Sequence, residues 1–473
     1  MASPNISFDN IPSSIRKPGK YFEFNTKLAV RTLPQNRQEV LIVAQKLAAG
    51  NAAANTPVQV FSDVEAAEYF GYGSQAHIMA KAIITANPYV ALTIVGVTDN
   101  VAGVAATGTI AIGIDAVAAG TVRLYIGNQY VEVAAANGDA KADIAAALKA
   151  AIDGKPGLPV TATVATATVT LTAKNKGTVG NSIPLSLSAA NNCVTATITA
   201  MASGAGDPVI TSALAAVFGY RYHKIVMPYI DSTTLSDLGD HLENVSGPME
   251  QRPGVGVYGF AGALAAATTL AGELNSGRML GAFLRGTRSL PMEVAAAMAG
   301  IMAWEEDPAR PLNTLELKGI HAPDIEDRLS RTEQETCLYN GVTPLEVGPG
   351  ENVQVVRAIS TYTKDAQGID DISLLDITTI TTLDYVRQAC RERVALRFPR
   401  EKLSSRTPAK VKSELLDVLL KLEELEIVEE VLANKDGLVV ERDLQDPNRL
   451  DAKIPADVVN GLHVFAGRID LLL

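Results

Sequence analysis

Lys224-Ile225-Val226-Met227, Gly254-Val255-Gly256-Val257-Tyr258 and Met279-Leu280-Gly281-Ala282-Phe283-Leu284 are three short apolar runs whose spacing decides the fold. Asp231 to Glu243 carries a helical pattern between the first two runs, and a second helix falls near Ala263–Leu274. This β-α-β-α rhythm implies a mainly parallel sheet with helices on its faces.

Upstream, Glu39-Val40-Leu41-Ile42-Val43-Ala44 reads as a buried strand and Val58-Gln59-Val60-Phe61 as a second. Ser62-Asp63-Val64-Glu65 is a capping box opening a helix that stops at Gly71. Ser74 caps the next helix, which Asn87-Pro88 ends, and Tyr89 to Val97 returns as an apolar strand. Downstream, Pro291 begins an Ala-rich helix terminated by Asp307-Pro308, and Ser330-Arg331-Thr332-Glu333 is another capping box. Val353 to Arg357 reads as a strand. Thr407-Pro408 supplies an N-cap and a proline at the first helical position, and Val411, Leu415, Leu419 and Leu422 form the apolar stripe that follows.

Residues 97–207 differ in composition: Ala, Thr, Val and Gly dominate, and charge falls well below the chain's 20%. Short β signals recur at Thr109–Ile112, Val122–Ile126, Gln129–Val133, Val160–Val164, Val169–Ala173, Ile183–Leu187 and Val194–Ala200. Gly127-Asn128 reads as a hairpin turn. One helix interrupts, Asp139 to Ile152, with Asp139 as expected N-cap and Ile144, Leu148 and Ile152 on one face. The pattern suggests a small sandwich-like unit inserted into a larger α/β domain.

Both ends of the chain are apolar and alternate with period two. Lys20-Tyr21-Phe22-Glu23-Phe24-Asn25 follows a Pro18-Gly19 break, and His463-Val464-Phe465-Ala466-Gly467-Arg468-Ile469-Asp470-Leu471-Leu472-Leu473 closes the chain. Termini are normally polar and frayed. Ends patterned like strands must dock, either within their own subunit or on the sheet edge of another molecule, where main-chain hydrogen bonds supply affinity.

Composition excludes several classes. A chain of 473 residues with 47% apolar content is globular and long enough for several domains. Its net charge of −11 argues against direct nucleic-acid binding. No signal peptide is expected at the start, and the uncharged stretch from Gly177 to Gly206 is too rich in Thr, Ser, Asn and Gly for membrane insertion. Cys193, Cys337 and Cys390 are scattered, without a CxxC pair, as in a reducing compartment. The five histidines have no metal-ligand spacing, so no metal and no cofactor is expected. There is no GxSxG elbow. Gly71-Tyr72-Gly73-Ser74 lacks a phosphate-loop lysine, and Gly254, Gly256, Gly259 and Gly262 miss the dinucleotide spacing. Asp370-Asp371 reads as a solvated turn.

Between Tyr385 and Lys402, Arg387, Arg391, Arg393, Arg397 and Arg400 form a local basic run in an acidic chain. On a helix, Arg387/Arg391 and Arg393/Arg397 are i,i+4 neighbours. Such a run can dock an acidic partner or simply be a solvated face whose stems cover apolar surface.

Taken in order, Ile6 to Arg16 with Pro18-Gly19-Lys20-Tyr21, Phe70 to Gln75, Ala86-Asn87-Pro88, Asn175 to Asn181, Asp307 to Leu312, Asp327 to Arg331, Arg397 to Leu403, Asp446 to Asp451 and Val459 to Phe465 resemble the Mu-like contractile phage tail sheath proteins. The resemblance spans essentially the whole chain. It implies a subtilisin-like α/β core with an inserted β-rich domain and extended terminal strand arms. The expected divisions are an N-terminal arm 1–30, core 31–96 and 208–370, insert 97–207 on the outside, a C-terminal α+β part of the core 371–460, and a C-terminal arm 461–473. It also implies a structural protein, not an enzyme, located in the virion tail and assembled in the host cytoplasm. The expected homo-oligomer is a helical sheath of stacked rings, partnered by tail tube, baseplate and tail terminator proteins. Tyr21, Phe22, Phe24, Val464, Phe465, Ile469 and Leu471 would then pair across copies, and Arg387, Arg391, Arg393, Arg397 and Arg400 would face the tube. Connectors near Leu28–Pro34 and Ala456–Gly461 would absorb rotation on contraction. A hydrolase on the same core and a surface-array or adhesion protein are the competing expectations.

Overall fold

The computed structural model describes residues 14–22, 33–34 and 36–471. The first elements are β1 (Glu39–Gln45), β2 (Pro57–Val60), α1 (Asp63–Phe70), α2 (Gln75–Ala86) and β3 (Ala91–Val97). Ser62 Oγ accepts from Glu65 N at 3.2 Å and Ser74 Oγ from His77 N at 3.1 Å, so both serines cap their helices as their spacing predicts. Asn87 N still bonds Ile83 O, after which Pro88 ends α2.

The insert contains β4 (Thr107–Ile112), β5 (Gly120–Ile126), β6 (Gln129–Ala135), α3 (Lys141–Asp153), β7 (Val160–Ala165), β8 (Thr168–Ala173), β9 (Leu185–Ala189) and β10 (Ala196–Ala202). They build two antiparallel sheets, ordered β10-β4-β8-β7 and β6-β5-β9. Gly127-Asn128 turns the β5–β6 hairpin, and α3 buries Ile144, Leu148 and Ile152. The expected Asp139 cap is corrected. Ala140 holds the N-cap position without a side-chain bond, and Asp139 Oδ2 accepts from Ala136 N instead. The Lys141 N–H at the helix start is satisfied by Asp115 Oδ1 at 2.9 Å, from a loop 26 residues earlier.

The chain then continues with α4 (Thr211–Val217), β11 (Lys224–Val226), α5 (Ser232–Ser246), β12 (Val255–Phe260), α6 (Leu264–Leu274), β13 (Met279–Phe283), α7 (Pro291–Trp304), α8 (Arg331–Tyr339), β14 (Thr343–Val347) and β15 (Val353–Val355). The main sheet has the order β15-β14-β13-β12-β11-β1-β3-β2. It is parallel from β14 to β3, with an antiparallel strand at each edge. Strand β1 shows why both faces must be covered. Val40, Ile42 and Ala44 join the apolar cluster that holds Met79 of α2 and Ala295 of α7. Leu41 and Val43 point to the opposite cluster, with Leu214, Leu235, Leu238 and Leu270.

Helix α7 is apolar almost all round and is buried almost all round. Gly300 permits its close contact with α2: a Cβ there would lie 3.1 Å from Ala86 Cβ and 3.3 Å from Ile83 O. The first of the two large clusters runs without a break into the insert, taking in Val122, Leu124, Ile144 and Leu148 alongside Leu290 and Met292. The insert therefore shares a core with the α2/α7 face.

The remaining elements are α9 (Ile377–Arg397), α10 (Thr407–Glu424), β16 (Val428–Glu429), α11 (Val431–Asn434), β17 (Val439–Arg442), β18 (Leu450–Lys453) and β19 (Asp457–Val458). The chain divides into two compact units. One holds Asn36–Val386, Glu426–Glu430 and the residues from Ala456 onward, and so contains the main sheet and the insert. Strands β16 and β19 pair antiparallel within it, so part of the expected 456–461 connector is held in a ladder. The other includes Arg387–Leu425 and Val431–Pro455, where Val411, Leu415, Leu419 and Leu422 of α10 are buried and β17 pairs with β18. The Thr407 cap is also corrected: Thr407 is the first helical residue, Arg406 precedes it without a side-chain cap, and Thr407 Oγ1 donates to Lys402 O.

Candidate assembly surfaces

Beyond Val458 the described chain forms no further strand, and it carries large apolar side chains into solvent. Phe465 is 87% exposed and Ile469 99%, with Val464 and Leu471 similarly uncovered. At the other end Phe22 is exposed, while Tyr21 is partly covered and its hydroxyl donates to Lys17 O at 3.0 Å. Phe24 lies outside the described residues, as does most of the expected 28–34 connector.

The C-terminal segment has a fixed root. Arg357 donates to both carboxylate oxygens of Asp376 at 2.8 and 2.7 Å. His463 sits against this pair, its Nδ1 3.0 Å from Asn313 Nδ2 and its Nε2 3.5 Å from Asp376 Oδ1. Burial, then the Arg357 charge, lowers the imidazole pKa, and Asp376 opposes them. The unbroken exposed run thus begins at Val464, immediately after a tethered residue, with the Leu462 side chain before it also exposed. Sequence spacing alone missed Asn313, Arg357 and Asp376, because nothing local links them to His463.

The arginine run is not uniform. Arg391 and Arg400 are exposed and Arg387 is half-buried. Arg393 is only 5% exposed and donates to Asp417 at 2.6 Å and Glu414 at 3.1 Å. Arg397 also lies 3.6 Å from Glu414. The charges of Arg393 and Arg397 are therefore matched by helix α10 of the same unit.

Ligands of open α/β sheets bind outside the carboxyl ends of the strands, where the strand order reverses. Here that point lies between β1 and β11, and the roots of the insert occupy it. Asp99 Oδ1 accepts from Gln45 Nε2 at 2.7 Å and Asn175 Nδ2 at 3.0 Å, and Asp99 Oδ2 accepts from Lys176 N at 3.1 Å. Asp207 accepts from Thr178 N and the Thr178 hydroxyl. The Gly71–Ser74 turn is similarly committed, with Gly73 N donating to His77 Nδ1 at 3.0 Å. Asp371 is tied to Tyr362 and Ser373. Cys193, Cys337 and Cys390 are buried and unpaired as thiols, and burial pushes Cys337 and Cys390 up to about 11. Among the described residues no three His, Cys, Asp or Glu side chains group to hold a metal ion, and no helix is long and apolar enough to cross a membrane.

Residues 203–361 match the phage tail sheath protein central domain, and residues 370–471 match the phage tail sheath C-terminal domain. The Mu-like prophage FluMu tail sheath protein of Haemophilus influenzae is 34% identical over 99% of this chain and 100% of its own length. The chain belongs to the phage tail sheath family. A tail sheath subunit is a structural component of the phage tail and not an enzyme. The fold is also that of solved tail sheath structures. The sheath tail protein of Desulfitobacterium hafniense superposes with a TM-score of 0.51 at 14% identity, covering 94% of this chain and 97% of that one. The sheath tail protein of Listeria innocua gives 0.51 at 15% identity, covering 91% and 94%. A chain of the anti-feeding prophage baseplate gives 0.51 at 11% identity, covering 97% and 100%.

Proposed function

We propose that this tail sheath protein polymerises as stacked helical rings around a tail tube by exchanging terminal strands between copies. The observation that carries the proposal is the C-terminal segment, where Val464, Phe465, Ile469 and Leu471 are exposed on backbone that makes no ladder. Burying such side chains against a neighbour gains roughly 25 cal/mol per Å2 of apolar area. A ring makes each modest contact multivalent. Tyr21, Phe22 and Phe24 act likewise at the other end, completing a sheet with the C-terminal arm of a neighbour.

In this account the extended sheath is a metastable minimum, released at the baseplate, and contraction is a rigid-body rearrangement of compact units. The core is read as subtilisin-like, with the insert 97–207 outermost and arms at 1–30 and 461–473. The tail tube, the baseplate and a tail terminator are the heterologous partners, and assembly takes place in the host cytoplasm. Arg387, Arg391, Arg393, Arg397 and Arg400 are the tube-facing candidates, with Arg391 and Arg400 the exposed members of the run.

The test is negative-stain microscopy of the full chain beside a variant lacking residues 464–473, which leaves the His463 anchor in place. Full-length protein is expected to form tubes or rings and the truncated protein to remain a folded monomer. Normal assembly of the truncated protein contradicts the strand-exchange account.

A further inference from the structure

We infer that the Tyr89–Trp304 ring pair is a docking point for an exposed arginine of a second copy of this chain. The inference rests on the sheath reading above, since it requires copies to meet. Tyr89 is 85% exposed and Trp304 57%, although both are large aromatic groups. Their ring centroids are 6.1 Å apart and the planes are tilted by 33°.

The pair is held by a rigid frame. Asn87 Oδ1 accepts from Tyr89 N at 3.1 Å, and Asn87 Nδ2 donates to Gly300 O at 3.2 Å, one turn before Trp304. The backbone that carries the two rings is thereby held, so little main-chain ordering is needed on binding. The acidic sequence that follows Trp304 favours a cation. Trp304 leads directly into Glu305-Glu306-Asp307, where Glu306 is exposed. The Arg310 guanidinium already lies 3.7 Å from Glu305 on this segment. A guanidinium over an indole or phenol face, next to carboxylates, gains both cation–π and ionic attraction. The same chain exposes Arg406 at the end of its most basic stretch, so a second copy brings the complementary group.

Trp304 is the chain's single tryptophan, so its emission reports on this face alone. Assembly of the full chain is expected to shift the emission to shorter wavelength and reduce acrylamide quenching severalfold. Glu306→Arg should melt as wild type yet need at least several times more protein to assemble. Combining it with Arg406→Glu should restore assembly. If tubes form with Trp304 emission unchanged, or Glu306→Arg assembles as wild type, this inference fails and the sheath reading stands. If emission shifts but Arg406→Glu does not rescue Glu306→Arg, another group covers the rings and the arginine assignment is wrong. Absence of any assembly removes both.

Discussion

The Arg393 guanidinium donates to Asp417 Oδ2 at 2.6 Å, joining helices α9 and α10 where the arginine is almost wholly buried. Glu414 accepts from the same nitrogen, so one cation faces two carboxylates. Removing Arg393 leaves Lys421 at 3.5 Å from Asp417 and Arg397 at 3.6 Å from Glu414, so the cost falls below the roughly 3–5 kcal/mol of a fully stranded buried charge. Arg393→Ala is still expected to lower the melting temperature, whereas Arg391→Ala at an exposed position should not. Equal melting temperatures for the two variants would contradict the assignment.

Asp99 anchors the insert by accepting three hydrogen bonds, from Gln45, Asn175 and Lys176. Asp99→Ala leaves those donors without their acceptor, at a cost on the order of 3 kcal/mol. Amide exchange near residues 99–100 and 175–178 should accelerate, while the α3 amides stay protected by their own core.

Two histidines make stability acid-sensitive. His77 Nδ1 accepts from Gly73 N and His223 Nδ1 from Glu39 N, and both bonds require neutral rings. Burial, with Lys81 nearby, lowers His77 to about 4; burial, with Arg221 and Lys224 nearby, lowers His223 to about 3. The unfolded chain takes up these protons near 6.5. The stabilisation is complete above that value and is lost as pH falls toward the folded values. Each ring contributes at most about 1.4 kcal/mol per pH unit over that window. His77→Gln, which keeps an acceptor for Gly73, should flatten the melting-temperature slope between pH 6.5 and 5. An unchanged slope would show that His77 is not responsible.

Phe465→Asp and Ile469→Asp place charge on side chains that touch little in the single copy. Circular dichroism and melting temperature are expected to match wild type, while sedimentation shows loss of assembled material. Assembly at wild-type concentration would argue that neither side chain lies in a shared sheet.

Local chemistry was readable where it stayed local. Ser62, Ser74 and Ser330 each cap the helix their spacing predicts. The alternating strands and helices of the main sheet were legible for the same reason. Asp139 and Thr407 were misread because caps are also decided across space, as when Asp115 reaches Lys141 N. The arginine run looked like one basic patch because its acidic partners, Glu414 and Asp417, lie 21 and 24 residues further on. The insert looked separable from its composition, but Val122, Leu124 and Leu148 belong to an apolar cluster that includes α7 of the core. The His463 anchor needed Asn313 and Asp376, which no periodicity connects.

The most direct measurement is an electron cryo-microscopy structure of the assembled particle, traced through residues 464–471. The account predicts that their backbone hydrogen-bonds to a strand of an adjacent copy, with Phe465 and Ile469 buried at that junction. Backbone pairing of this segment only within its own copy would contradict it.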